Sequence, residues 1–373
     1  MEKAEPEGFG KESPTPLNTL DGGRRLRRSP PQMATRLNTN TMSELTRGSF
    51  HMDAELARSS GGVVYRARVR STGQTVVLKQ RLRPELGAQR NMLNEVELLQ
   101  RLHHPHVIRC LGHFWDSASL YMVLEHADRG DLYVWLQRRK DTRAPPLEER
   151  TVWHLFYQIC QGLQHIHSKG IVHRDIKSLN IFLCSAERGR RGRRGDGGNG
   201  SGGNGSDADN DGDGDAEVSR MVLKLGDLGV SRSVGPNTEM LRSFYGTPLY
   251  ASPELMDNKP YNDRSDIWSL GVVLYELATY EPPFMAPSLV ALARCISKGH
   301  YAPLPNSRSP HLQGAVAAML QVRRAKRANC YSSTLEYGRE ERRRIEGTNS
   351  SSLSCAVMCS DVQWCAVMCS DVQ

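Results

Sequence analysis

The sequence predicts an α+β fold, on two patterns: short apolar runs of strand character, and helical stretches whose apolar residues share one face. The strand-like runs are Thr75-Val76-Val77-Leu78-Lys79, Leu120-Tyr121-Met122-Val123-Leu124 and Ile181-Phe182-Leu183-Cys184. Between the first two lies Met92 to Leu99, where Met92, Val96 and Leu99 fall at helical spacing and mark a buried face. Thr151 to His167 carries Trp153, Phe156, Ile159, Leu163 and Ile166 near one face and stops at Gly170, a residue suited to a helix C-terminus. Asp266 to about Leu277 is apolar enough for a core helix, and a further helix-like stretch runs from Gly314 to Gln321. At 373 residues and 38% hydrophobic content the chain can bury a substantial core.

The chemistry is concentrated in His173-Arg174-Asp175-Ile176-Lys177-Ser178-Leu179-Asn180 and, beyond a long insertion, Asp227-Leu228-Gly229. These residue types suit phosphoryl transfer. Asp175 is placed to accept a hydroxyl proton, while Asn180 and Asp227 offer hard oxygen ligands for magnesium bridging the phosphates of ATP. Asp175 must reach the attacking hydroxyl and Asn180 the metal, so a tight loop rather than a helix is expected between them. Lys177 can neutralise charge developing on the transferred group.

With these motifs in this order, the chain resembles the eukaryotic protein kinases from about Phe50 to about Arg327. The resemblance implies two lobes: a small β-rich N-lobe at about 46–125 with one main helix, and a larger, mainly α C-lobe at about 128–328. It gives Lys79 the task of pairing with the α- and β-phosphates, and Glu95 that of holding Lys79. Glu95 lies four residues before Leu99, near the inward face of its helix. The family's glycine-rich phosphate hairpin falls on Ala57-Arg58-Ser59-Ser60-Gly61-Gly62, where only the last glycine of the pattern is kept. Glycine serves there because backbone amides must approach phosphate oxygens with no Cβ in the way. Ala57 and Ser59 are the next smallest choices and imply a loop that closes over ATP with weaker binding. By the same resemblance Val64 roofs the adenine, Leu124 is the gatekeeper, backbone groups from Glu125 to Ala127 bond the adenine edge, and Phe182 forms the pocket floor.

Asp227 to Glu254 resembles an activation loop. Its Thr247, in serine/threonine kinases, contacts the catalytic aspartate and lysine, and together with Lys177 implies Ser or Thr acceptors. Ser243, and more weakly Thr238, sit where relatives are phosphorylated, and a phosphate on Ser243 would pair with Arg174. Asp266 is expected to hold the catalytic-loop backbone. Arg327 keeps the place of an arginine that pairs with the glutamate matching Glu254, although the prolines and aspartate of the surrounding D-P-x-x-R-P pattern are gone. Within the kinases, Asn180-Ile181-Phe182-Leu183, Gly246-Thr247-Pro248, Ser252-Pro253-Glu254 and Asn258-Lys259-Pro260-Tyr261-Asn262 resemble the NIMA-related group. That likeness implies roles in the cell cycle, microtubules, centrosomes or cilia.

Composition narrows the rest. No run of 18 or more apolar residues offers a membrane span and the start lacks a secretory core, so a cytoplasmic protein is expected, with cytoskeletal, centrosomal or ciliary placement implied by the resemblance and nuclear placement by the Arg24, Arg25, Arg27 and Arg28 cluster. Nine cysteines are present; Cys110, Cys160, Cys184 and Cys295 sit among apolar neighbours and read as reduced core residues. The net charge of +8 comes from arginine clusters in the tails and insertion without interleaved aromatics, which argues against nucleic acid as a partner. Residues 1 to about 45 and 329–373 read as disordered tails, the second carrying Cys355 to Gln363 repeated as Cys365 to Gln373. The insertion, about 185–220, reads as a flexible loop, since closing a longer loop adds only about 0.6 kcal/mol per doubling. Its Asp207-Ala208-Asp209-Asn210-Asp211-Gly212 imitates a calcium loop, but position twelve is Val218.

The function expected is a serine/threonine protein kinase using ATP and magnesium on protein substrates. The alternative is a kinase-fold scaffold with weak or no turnover, suggested by Ala57, Ser59 and the altered C-terminus; a nucleic-acid-binding module is a distant third.

Overall fold

The computed structural model describes residues 45–59, 62–82, 89–117, 119–186, 218, 221–228, 248–257 and 259–327, without the side chains of residues 89–91, 94 and 95. The N-terminal tail to residue 44, almost all of the insertion, Thr238, Ser243, Thr247 and the C-terminal repeat lie outside the described residues.

Five antiparallel strands, β1 (Phe50–Ser59), β2 (Gly62–Val69), β3 (Thr75–Leu82), β4 (Cys110–Asp116) and β5 (Ser119–Glu125), form a sheet in the order β1-β2-β3-β5-β4. Alternation along the strands sorts their residues to two faces. On one face Val76, Leu78, Tyr121 and Val123 close over Phe50, Ala67 and Phe114, the Phe114 ring stacking on Phe50 at 5.5 Å and on Tyr121 at 5.0 Å. On the other, Leu120, Met122 and Leu124 meet Met92, Val96 and Leu99 of helix α1 (Gln89–Gln100). The spacing of those three residues anticipated this. Lys79 stands opposite both Val64 and Met122, so it shares the helix-covered face.

Beyond β5 the chain is mainly helical, with α2 (Leu132–Asp141), α3 (Glu149–Ser168), α4 (Pro253–Met256), α5 (Asp263–Thr279), α6 (Leu289–Lys298) and α7 (Pro310–Met319). Every residue of α5 from Ser265 to Ala278 is buried, as in a helix surrounded by protein. It begins before its apolar run: the Asn262 N–H donates to the Ser265 hydroxyl at 3.4 Å and the Ser265 N–H to the Asn262 carbonyl at 3.0 Å, closing its first turn. α3 buries the predicted Trp153, Phe156, Ile159, Leu163 and Ile166, and Gly170 follows at φ +70°, a left-handed turn that ends the helix. α7 corrects the expected Gly314 to Gln321: the Ser309 hydroxyl accepts the Leu312 N–H at 3.1 Å and Pro310 fills the first turn, so the helix starts and stops earlier.

β6 (Ile181–Ser185) and β7 (Met221–Leu225) pair antiparallel across the insertion, with Ser185 opposite Met221. Val218, which a calcium loop would need as a glutamate, is buried in the main core. Cys110, Cys160, Cys184 and Cys295 are free, as expected, and burial pushes the Cys110 and Cys184 thiols up to about 11. No helix among the described residues is long and apolar enough to cross a membrane.

Candidate active site

The loop from His173 to Asn180 is hung from α5 by Asp266. This carboxylate is fully buried, and it accepts the His173 N–H at 2.9 Å, the Arg174 N–H at 3.0 Å, His167 Nε2 at 2.8 Å and the Tyr261 hydroxyl at 2.8 Å. A buried charge requires such partners, and here they also shape the chain. Arg174 takes φ +69°, a conformation that outside contacts must hold. Past this bend Asp175 Oδ2 accepts Lys177 Nζ at 2.9 Å and Asn180 Nδ2 at 3.0 Å, and the same amide nitrogen reaches the Asp175 carbonyl at 2.8 Å. The segment ends in a one-turn 3-10 helix, Ser178–Asn180, which is the tight loop the spacing called for.

Asn180 connects this loop to Asp227. With its amide nitrogen committed to Asp175, its amide oxygen is the end left for a cation, while its carbonyl accepts the Gly226 N–H at 2.9 Å. The next residue, Asp227, takes φ +55° and bonds to Lys79 Nζ from β3. Burial works against its charge, but the Lys79 ammonium, assisted by Lys177 and His173, holds the Asp227 carboxyl below the usual carboxylate range. Glu95 lies on α1 and its side chain is outside the described residues. Among the described side chains, Asp227 is the one that pairs with Lys79.

The residues expected to face a nucleotide lie on the neighbouring strands and connection. Val64 and Leu124 share the sheet face of Lys79. Glu125, at the end of β5, is locked in place: its carboxylate accepts the Arg109 N–H at 2.7 Å and Lys224 Nζ at 2.9 Å, while its own N–H donates to the Arg109 carbonyl at 3.0 Å. Half-buried Ala127 lies in the connection to α2, and Phe182 stands on β6 opposite Lys224. In the β1–β2 hairpin Ala57 pairs with Val64 and Ser59 with Gly62. Gly62 has φ +149°, and a Cβ there would lie 1.9 Å from the Gln80 carbonyl oxygen. The sheet alone therefore requires this glycine, whatever it does for phosphate.

The family model of the protein kinase domain matches residues 50–335. The chain belongs to the protein kinase family. It is 34% identical over 275 residues to serine/threonine-protein kinase Nek5 of Mus musculus, covering 74% of this chain and 38% of that protein. Against serine/threonine-protein kinase Nek8 of Danio rerio the identity is 34% over 278 residues, 73% of this chain and 34% of the relative. Against the probable serine/threonine-protein kinase nek2 of Dictyostelium discoideum it is 31% over 281 residues, 74% and 59%. The chain spans roughly a third to three fifths of the length of these Nek kinases.

Within this kinase domain, Lys79, Asp175, Lys177, Asn180 and Asp227 form one connected set, and Val64, Leu124, Glu125, Ala127 and Phe182 lie on the strands and connection beside it. Thr247 is outside the described residues. The fold adds roles that the motifs do not assign: His167 and Tyr261 complete the Asp266 cluster, and Ser178, Tyr250 and Glu276 bond in a chain beneath the loop. No local pattern flags them, since their partners are brought together only by the fold.

Proposed function

We propose that this chain is an ATP-dependent serine/threonine protein kinase of the NIMA-related type, transferring the γ-phosphoryl of Mg-ATP to Ser or Thr hydroxyls of protein substrates. The reading rests on one continuous line of contacts, from Lys79 through Asp227, Gly226 and Asn180 to Asp175 and Lys177. Its donor set fits magnesium: a carboxylate kept ionised by Lys79, and the amide oxygen of Asn180. Among the described residues no group of three or more His, Cys, Asp or Glu could hold a metal unaided, so the remaining ligands would be nucleotide phosphates and water. Magnesium, when bound, would draw charge from the phosphates.

Asp175 then accepts the proton of the acceptor hydroxyl as its oxygen bonds to the γ-phosphorus. The bond from that phosphorus to the bridging oxygen breaks, and ADP leaves with the electron pair. Lys177, on the same carboxylate, neutralises charge on the group in transit. Lys79, with Glu95 as its partner in the loaded site, orients the α- and β-phosphates, while Val64, Leu124, Phe182 and the backbone from Glu125 to Ala127 enclose the adenine. Thr247 helps present the acceptor to Asp175. Roles in the cell cycle or at microtubules and cilia extend this proposal by family likeness.

Ala57 and Ser59 favour a second reading, a scaffold that retains nucleotide without turnover. Radiolabelled ATP separates the two. The 373-residue chain with casein as acceptor should transfer label, and Asp175→Ala should lower the rate about 100-fold or more. Equal labelling by both, or retention of Mg-ATP without transfer by either, would give the scaffold reading.

A further inference from the structure

Past α7 the chain puts base where its motif has acid. Arg323 and Arg324 stand at the places of the aspartate and first proline of the D-P-x-x-R-P pattern, so one negative charge gives way to two positive ones. The 3-10 turn Arg324–Lys326 fixes them: the Lys326 N–H donates to the Arg323 carbonyl at 2.8 Å, and Arg327, just past the turn, is tied to Glu254. Both arginines are exposed and line a cleft of about 460 Å³ that also touches α4, Lys259 and the end of α6 at Ser297. Pro253, Pro260 and Val322 give the cleft apolar walls. Its two acids are already answered, Glu254 by Arg327 and Asp257 by Lys259 at 2.8 Å. Among the described residues no carboxylate meets either arginine, and Arg324 gives one N–H to the Pro260 carbonyl at 3.3 Å.

We propose that this cleft docks a glutamate-bearing segment of the protein acceptor, and that Arg323 and Arg324 select it. This rests on the kinase reading above, since α4 closely follows the Pro248–Tyr250 turn, which comes directly after Thr247, where the acceptor is expected. Charge complementarity names the occupant. Two unanswered guanidiniums on a fixed turn call for planar anions. The Glu254 and Asp257 carboxylates in the lining repel a doubly charged phosphate more than a singly charged carboxylate. Glutamate brings two methylenes that can lie against the proline and valine walls. Because the arginines are exposed, each contact is weak, and affinity comes from several carboxylates together and fades with salt.

The test uses the 373-residue chain at low salt, with fluorescein-labelled deca-glutamate as the probe and anisotropy as the readout. Arg323→Asp with Arg324→Pro restores the family pattern; Arg323 already has φ −73° and ψ 104°, which a following proline accepts, so the fold is kept while the charge reverses. Kd for the probe should rise about 5- to 10-fold. Arg323→Gln with Arg324→Gln, which puts no proline in the turn, should raise it by a smaller factor. Arg70→Asp with Arg101→Ala, both exposed and outside the cleft, alters the net charge as much as the first variant and should leave Kd within about twofold. Equal weakening by the cleft and control variants would show attraction to the whole basic chain and overturn the proposal, as would no weakening at all. Binding of a phosphoserine peptide in place of deca-glutamate would overturn the choice of carboxylate. In turnover, Arg323→Asp with Arg324→Pro should raise KM for dephosphorylated casein about 3- to 10-fold, with kcat and KM for ATP unchanged within about twofold. An unchanged casein KM would remove the acceptor from the cleft. No transfer by wild type, with probe binding still lost in the cleft variants, would overturn the kinase reading and the acceptor role while leaving the cleft a site for an acidic partner.

Discussion

Arg327 and Glu254 meet in a two-pronged ion pair shut off from solvent, Nη1 to Oε1 at 2.8 Å and Nη2 to Oε2 at 3.0 Å. The same guanidinium donates to the carbonyls of Gln321 at 3.1 Å and Arg264 at 2.6 Å, and lies over the Trp268 ring at 5.1 Å. The segment past α7, stripped of the prolines and aspartate its motif leads one to expect, still docks on α4 and α5 by its arginine.

Replacing Arg327 should therefore be costly. Arg327→Ala leaves Glu254 buried without its counter-ion and should lower the unfolding free energy by about 3–5 kcal/mol in urea denaturation. Arg327→Lys should recover only part, because one ammonium cannot serve both oxygens. Burial raises the Glu254 carboxyl, but Arg327 and Ser265 outweigh it and hold it at about 2, against an ordinary 4.5. Its contribution is present above pH 4.5 and is lost as pH falls toward 2, so the gap between wild type and Arg327→Ala should narrow in that window. A loss under about 1 kcal/mol at pH 7 would mean that the segment does not dock.

Glu276 should behave in the opposite sense. Burial lifts its folded value to about 7, above the ordinary 4.5, so the stability tied to its neutral form is full below pH 4.5 and gone above 7. Glu276→Gln should thus match wild type near pH 5 and exceed it by up to about 3 kcal/mol at pH 8, measured by denaturant midpoints at each pH. A variant less stable than wild type at pH 8 contradicts this.

Asp266→Asn tests the anchor of the loop. Each carboxylate oxygen faces two donors, so either amide orientation sets an N–H against an N–H or O–H. The expected cost is about 2–3 kcal/mol of stability. Displacement of Asp175 should lower kcat by about 100-fold. Wild-type kcat in this variant would show that the Arg174 bend holds itself.

The glycine positions of the first hairpin should divide. Gly62→Ala must push β2 away from Gln80 and should destabilise the domain by more than about 1 kcal/mol. Ala57→Gly with Ser59→Gly should instead tighten Mg-ATP binding about 3- to 10-fold, read by calorimetry, since amides can then approach phosphate oxygens freely. Unchanged affinity would mean that this hairpin contributes little to nucleotide binding.

What could be read from the chain follows from how far apart the interacting residues lie. Asp175, Lys177 and Asn180 bond within a single loop, and α3 and α5 announce themselves by long apolar patterns, so these were legible. α2 and α6 carry no long apolar pattern: each is short and is set by a cap, the Asp131 side chain accepting the Val134 N–H and the Ser288 side chain the Ala291 N–H. α7 starts ahead of the stretch from Gly314 to Gln321 because Ser309 and Pro310 form its boundary. The structural need for Gly62 is hidden in the sequence, since its clash with Gln80 arises only when β2 and β3 pair. Ser178, Tyr250 and Glu276 come from three distant stretches, and none has a neighbour in sequence that hints at the other two.

The pairing of Ser185 with Met221 makes the interruption between β6 and β7 a natural splice point. Two ends held side by side, about 5 Å apart, ask of what joins them only that it return and seat Val218 in the core. A compact reporter whose own termini are adjacent could be fused there, provided Val218 keeps its seat in the core, with Asn180 and Asp227 still tied through the Gly226 N–H.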